Sequence, residues 1–365
     1  MFYVLNLILS CLIFYFLYLI RPKNYGYILA SLLVVTLWTL LLGSQYFVGT
    51  DYQNYLTIFS NENSLEYYKN VKQEYGFYYF VKAFTYLGLK GQDFFYLFYF
   101  LTSIVFFKFV SAISRKDVII YIFLFVTVSS LFHYQMNGLR QCTAVFFVSL
   151  GLVEFYRKKY LSFALIFVIA ALIHKSAVLV LPLFWIFNRI KFSWKQLSYL
   201  VLISSLISLI PLDNIIDSSL MFIADFKYLG DYGRYQDGSD YVQDISFLNK
   251  LTKLVYLPFY LYIIRIYIKK TNISILNDFE IKLFKIGILS YVLRNIFLIS
   301  SITNRLGLFF TLLSIIPLYF LIRELLVRKD KATYTLVIVI FLAFYILKVV
   351  FFPTEVYSYD SVFFK

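Results

Sequence analysis

A polytopic, all-α integral membrane protein with about 12 crossing helices is the fold class this sequence predicts, on three observations. Of the 365 residues, 61% are apolar, 22% aromatic and only 15% charged, with a mean hydropathy of +0.76; soluble domains carry about 25% charged residues. The apolar residues run in continuous stretches of about 20, the length a helix needs to cross a bilayer, and lack the ~10-residue alternation of a membrane β-barrel. The basic residues gather in every second connector, as the positive-inside rule requires of a multi-pass chain.

In chain order, the spans are expected at 2–20, 26–48, 93–113, 118–134, 139–156, 161–174, 176–188, 197–212, 247–268, 280–300, 304–322 and 333–352. The first run lacks a preceding basic residue and a following small-residue cleavage site, so it is predicted as a retained span. Basic clusters at 21–23, 115–116, 157–159, 189–195, 265–270 and 323–331 fall in alternate connectors. They are predicted to be cytoplasmic, with both termini on the outer face. That placement accounts for the formal net charge of +14 without a nucleic-acid partner. The chain is predicted to be one polytopic domain, 1–365, with two long outer segments. The first, 49–92, alternates aromatic and polar residues, as interfacial amphipathic helices do. The second, 213–246, carries seven Asp together with Tyr and Gly. Aromatic faces stack on pyranose C–H groups and carboxylates accept hydroxyl hydrogen bonds, so this segment is either a sugar-binding loop or a solvated, disordered acidic one.

Ionisable side chains at membrane depth need a reason, because a charge at a helix centre costs about 2.5–3.5 kcal/mol on insertion scales. Arg140, Arg294 and Arg305 are expected near outer helix ends, with Arg294 and Arg305 flanking one tight turn around residues 300–303. Either they snorkel to the headgroups, or their planar forks hold a diphosphate bidentately. Lys250, Lys253 and Lys348 are weaker candidates. His174, in ALIHKSAVLVLP, can exchange a proton near neutral pH; it serves either as a base or as a helix cap. Asp51 and Glu74 are alternative bases or solvated helix-end charges, and His133 is read as a packed residue. Two cysteines, Cys11 and Cys142, with two histidines do not make a metal site, so neither a metal nor a cofactor is expected.

Several of these strings together resemble the EpsG family of Wzy-type polysaccharide polymerases. GTDYQNY (49–55) is similar to the family's Gly-x-Asp-x-x-x-Tyr element and EYGF (74–77) to its Glu-x-Gly-Phe element. MNGLRQCTA (136–144) resembles the Arg-Gln motif, ALIHKSAVLVLP (171–182) the His-x-Ser-Ala motif, and NRLGLFF (304–310) the late Arg-aromatic element. YGRYQDGSDY stands where the family has an Arg/Tyr-bearing outer loop. One departure is Phe309-Phe310, where the family usually has Tyr-Phe. The resemblance implies a GT-C-like polymerase/ligase architecture. It also implies a metal-independent glycosyltransferase whose donor and acceptor are undecaprenyl-diphosphate-linked oligosaccharides at the outer face of the bacterial inner membrane. A chain-length regulator would be a further partner, and the product O-antigen or exopolysaccharide.

In that reading His174, Asp51 and Glu74 are candidate bases in that order, Arg140, Arg294 and Arg305 bind the diphosphate, and Arg234, Tyr235, Tyr55 and Gln141 are candidate sugar-binding residues. A lipid-linked-oligosaccharide flippase would share substrate and topology but calls for a mid-bilayer basic cavity and pseudo-symmetric halves, neither legible here. An O-antigen ligase shares the chemistry and differs only in acceptor. A membrane O-acyltransferase calls for polar residues on the cytoplasmic side, whereas the unusual ones here are expected outside.

Overall fold

A computed structural model of the chain describes residues 2–20, 24–210, 250, 252, 254–269, 276–353 and 355–364. Arg234 and Tyr235, the 213–246 segment, Lys253 and the 21–23 cluster lie outside the described residues. Among those described, the secondary structure is helical apart from one isolated bridge, Gln45 with Ser361. The helices group into two compact units, Met1–Ala177 with Ile322–Lys365, and Val178–Leu321.

Six helices among the described residues are long and apolar enough to cross a membrane: Phe2–Ile20, Asn24–Gly43, Gln92–Ile113, Leu139–Tyr156, Thr303–Arg328 and Lys331–Phe351. The other expected spans are shorter or more charged helices. The one expected at 118–134 stops at Thr127. Ser129 Oγ donates to the Phe125 carbonyl and accepts from Leu131 N, and Ser130 takes φ +60. The Ser129 hydroxyl competes with the helical ladder and the left-handed Ser130 ends it, leaving a single turn, Leu131–Tyr134, before the next span. The span expected at 176–188 is a 3₁₀ stretch, Lys175–Leu179, and a short helix, Val180–Arg189, with Pro182 in its first turn, where a missing N–H costs little.

In the first unit, α1 (Phe2–Ile20), α2 (Asn24–Gly43), α6 (Gln92–Ile113), α7 (Val118–Thr127), α9 (Leu139–Tyr156) and α10 (Tyr160–Ile173) surround an aromatic core. Three short helices, α3 (Tyr52–Ser60), α4 (Glu62–Asn70) and α5 (Tyr75–Tyr86), connect α2 to α6, in the segment expected to be amphipathic. Trp38 packs against Phe106, Phe107, Phe125 and Phe132 with ring centroids 5.3–5.5 Å apart, and its indole N–H donates to Ser10 Oγ at 2.9 Å. The polarity of these helices is inverted relative to a soluble bundle. Leu5, Ile8, Leu9, Leu12, Phe16 and Leu19 of α1 are exposed, while Asn6 and Ser10 are buried. Lipid covers such an outer face, and inside it the Ser10 hydroxyl accepts from the Trp38 indole while the Asn6 amide is buried without a partner among the described residues.

The unit has two distinct ends. At one, Arg115 donates to Asn24 Oδ1 and Tyr18 donates to the Arg115 carbonyl, so the last turn of α1 and the first residue of α2 meet the α6–α7 connector. At the other, Tyr3 donates to the Val356 carbonyl, and the side-chain amide of Gln92 donates to the carbonyls of Gly43 and Gln45. The strings 49–55, 74–77 and 136–144 gather at this second end.

The second unit contains α12 (Trp194–Ile207), α13 (Leu257–Lys269) and α14 (Asp278–Ile296), followed by a 3₁₀ turn and the short α15 (Ser301–Gly307). Asn295 reaches Ser205 Oγ at 3.1 Å, and Tyr260 donates to the Ser314 carbonyl at 2.7 Å.

Candidate functional site

The site begins at the α2–α3 loop. Gly49 holds φ +76, and a Cβ there would lie 2.8 Å from Asn137 Oδ1. That oxygen accepts from Thr50 Oγ1 at 3.1 Å and from the Asp51 amide at 2.9 Å. Asp51 precedes the first residue of α3, and its carbonyl accepts from Tyr55 N. Asn137 stands three residues before Arg140. The string 49–55 is therefore docked on the string 136–144.

Arg140 lies in the first turn of α9, at the positive end of the helix dipole, an unfavourable place for a cation. Four neighbours compensate. Glu74 accepts from its Nη1 in a buried ion pair, with side chains 12% and 6% exposed. The rings of Tyr68 and Phe77 each lie 4.6 Å from the guanidinium carbon, a cation–π arrangement. Tyr55 is hydrogen-bonded to it through its hydroxyl. Arg140 Nε is buried with no hydrogen-bond partner. Burial pushes the Tyr55 hydroxyl up to about 12, against the opposing pull of Arg140. Burial raises Tyr68 too, again opposed by Arg140. Both phenols therefore stay protonated at neutral pH and can donate hydrogen bonds. Asp51 acts electrostatically on both, so its carboxylate belongs to the same cluster.

Glu74 is presented by a shaped turn: Gln73 takes φ +53, and Glu74 N donates to the Tyr68 carbonyl at 2.9 Å. Gly76 explains the next position of the string. A Cβ on it would run into the Leu172 carbonyl and sit 2.7 Å from Leu172 Cα, so only glycine lets α5 lean on the last turn of α10. Two residues on, His174 ends α10 with extended φ −150 and ψ 110, half-buried, its carbonyl accepting from Ala177 N at 3.0 Å. Lys175 Nζ donates to the Lys72 carbonyl at 3.3 Å, a second tie between the His174 segment and the Glu74 turn.

Asp51, Tyr55, Glu74 and Arg140 thus meet in one cluster, and His174 sits on a segment that abuts it. Gln141 follows Arg140 on α9 and is half-buried. Arg294 and Arg305 belong to the second unit, on either side of the turn where Thr303 Oγ1 donates to the Phe297 carbonyl at 2.9 Å. His133 is fully buried against Tyr3 and Tyr357, with ring centroids 4.5 and 4.8 Å away. Sequence reasoning missed the parts played by Asn137, Tyr68, Phe77 and Gly76. Three of these lie inside the quoted strings, so the strings were the available signal. Among the described residues no group of three or more His, Cys, Asp or Glu side chains could hold a metal ion.

Four strings separated by up to 120 residues of chain converge on one arginine-centred cluster at one end of a helical membrane bundle. Comparisons with curated proteins and with solved structures find no match. The EpsG family model matches residues 27–361, which contain all four strings, and the chain belongs to the EpsG family of Wzy-type polysaccharide polymerases.

Proposed function

We propose that the protein joins polyprenyl-diphosphate-linked oligosaccharide repeat units into a surface polysaccharide at the outer face of the cytoplasmic membrane. The hydroxyl oxygen of one unit attacks the anomeric carbon of another, the anomeric C–O bond to the diphosphate breaks, and polyprenyl diphosphate leaves through an oxocarbenium-like state. The carrying observation is the Arg140 cluster. A guanidinium fixed between two rings is preorganised to meet charge developing on the leaving diphosphate. Of its five N–H donors, one goes to Glu74 and one contact is made with the Tyr55 hydroxyl, which leaves donors for phosphate oxygens. In this reading Glu74 positions Arg140, and the acceptor's proton passes to His174 or to Asp51. Arg294 and Arg305 are kept as a candidate anion pair of the second unit, and Gln141, Arg234 and Tyr235 as candidate sugar contacts. An architecture of about twelve crossings of GT-C-like type belongs to the same proposal; it is supported by the six described helices long and apolar enough to cross a membrane and by the shorter apolar Tyr160–Ile173.

Cells lacking the protein test the reading through their glycan ladder. A lost polymerase leaves lipid carriers bearing single repeat units on the outer face. Single units trapped inside would point to a flippase, and polymer left unattached to its final acceptor would point to a ligase.

A further inference from the structure

Beside the Arg140 cluster the first unit has a cavity of about 390 Å³, lined by Tyr46, Phe47, Gly49, Thr50, Ser358 and Asp360. Its two walls are far apart in sequence and stitched together. Tyr46 N donates to the Asp360 carbonyl at 3.0 Å and Val362 N to the Ser44 carbonyl at 2.9 Å, Gln45 bridges to Ser361, and Tyr359 donates to the Leu41 carbonyl at 2.7 Å. The chain end therefore forms a built wall of the cavity.

Phe47 is the unexpected residue. It takes φ +50, in the left-handed region that a bulky side chain rarely adopts, and its side chain is 59% exposed. Such strain persists where surrounding structure over-determines it and clusters at ligand sites. Here it holds a ring at the cavity, 4.5 Å from Tyr46 at 80° and 5.4 Å from Tyr52. An aromatic face, a carboxylate at Asp360 and hydroxyls at Thr50 and Ser358 together match a pyranose, which offers C–H faces and hydroxyls. Among the described residues no lysine or arginine lines the cavity, and the chemistry of that lining suits a neutral sugar better than a phosphate. Its volume falls in the range of small-ligand sites. Thr50 immediately precedes Asp51 of the cluster, so a sugar held here lies one residue from the groups proposed to act on the acceptor hydroxyl.

We infer that the cavity between the 46–50 loop and the C-terminal segment binds the non-reducing-end sugar of the acceptor repeat unit, with Phe47 as stacking platform and Asp360 as hydroxyl acceptor. The inference rests on the polymerase reading for its acceptor role and on the cavity alone for its sugar chemistry.

The test is titration of the purified full-length protein with carrier-free oligosaccharide, released by mild acid from the cells' own lipid-linked repeat unit. Two variants are compared. Phe47→Gly removes the ring while a glycine keeps the same φ at no steric cost, so its thermal unfolding should match or exceed wild type. Asp360→Asn keeps the oxygen that accepts from Ser361 N and removes the charge. Each is expected to weaken oligosaccharide binding at least tenfold, while Tyr86→Ala, which removes an exposed aromatic outside the cavity, binds as wild type. Wild-type binding by both variants overturns the inference and leaves the polymerase reading intact if polymer still forms. If Phe47→Gly changes only bilayer partitioning, Phe47 is an interfacial anchor and the inference is likewise overturned. Loss of binding in the variants of a protein that makes no polymer would instead uphold the sugar site and sink the polymerase reading.

Discussion

At the scale of single residues, the account turns on the Arg140–Glu74 pair. A buried charge stripped of its partner is costly, about 3–5 kcal/mol, so Arg140→Ala and Glu74→Ala should each lower stability as well as activity. The two effects separate in a double variant. Arg140→Met with Glu74→Met replaces the pair by apolar groups of similar volume, a change that is often neutral. It should recover wild-type unfolding while polymer remains absent. Arg140→Lys keeps the charge and loses the planar fork, so partial activity is expected. Removal of a preorganised donor typically costs about 10²–10³ in rate, which a timed ladder resolves. His174 is tested through pH. If its neutral imidazole takes the acceptor's proton, the rate falls as solvent protonates it, and His174→Gln loses turnover together with that acid limb. A Gln variant with wild-type rate and an unchanged pH profile makes His174 a helix cap and passes the base to Asp51.

At the scale of elements, two glycines join helices that sequence order keeps apart. Gly76→Ala must push α5 off the Leu172 backbone, so polymer should fall sharply while expression persists. Gly49→Ala adds a left-handed alanine, a cost of about 1–2 kcal/mol, and a clash with Asn137. Asn137→Ala frees the Asp51 amide and should produce the same loss without the backbone strain. These contacts also mark how far the sequence could be read. Arg140 was legible because a charge in an apolar span announces itself; Glu74 was read only as a base or a solvated helix-end charge, whereas it is the buried partner of Arg140, a pairing across 66 residues that no local pattern encodes. Tyr68 and Phe77 were not, since in a chain with 22% aromatics two rings stand out only once folding brings them to a guanidinium. The strand of strings was legible, but the reason for each glycine and for Asn137 is tertiary contact, which no periodicity encodes. The early stop of α7 was missed because the apolar run resumes after Ser129 and Ser130, and the break lies in the Ser129 hydroxyl bond and the left-handed backbone of Ser130.

At the scale of the whole molecule, composition and the placement of charge were enough to read a helical membrane protein, and the two ends of the first unit follow the same division. The connector bearing Arg115 and the start of α2 at Asn24 share one end, and the strings 49–55 and 136–144 meet at the other. With Cys11 and Cys142 changed to Ser, single cysteines at Glu62 or Lys90 should label with an impermeant maleimide in intact cells, whereas those at Lys158 or Lys329 should label only after the membrane is opened. The reverse pattern would place the cluster in the cytoplasm, out of reach of an outer-face substrate. The most direct measurement of the central claim is polymerisation by the purified protein in liposomes supplied with lipid-linked repeat unit as donor and acceptor. The account requires a ladder of products with release of polyprenyl diphosphate, abolished in the stable Arg140→Met/Glu74→Met variant. A full ladder from that variant, or single units only from the wild type, would contradict it.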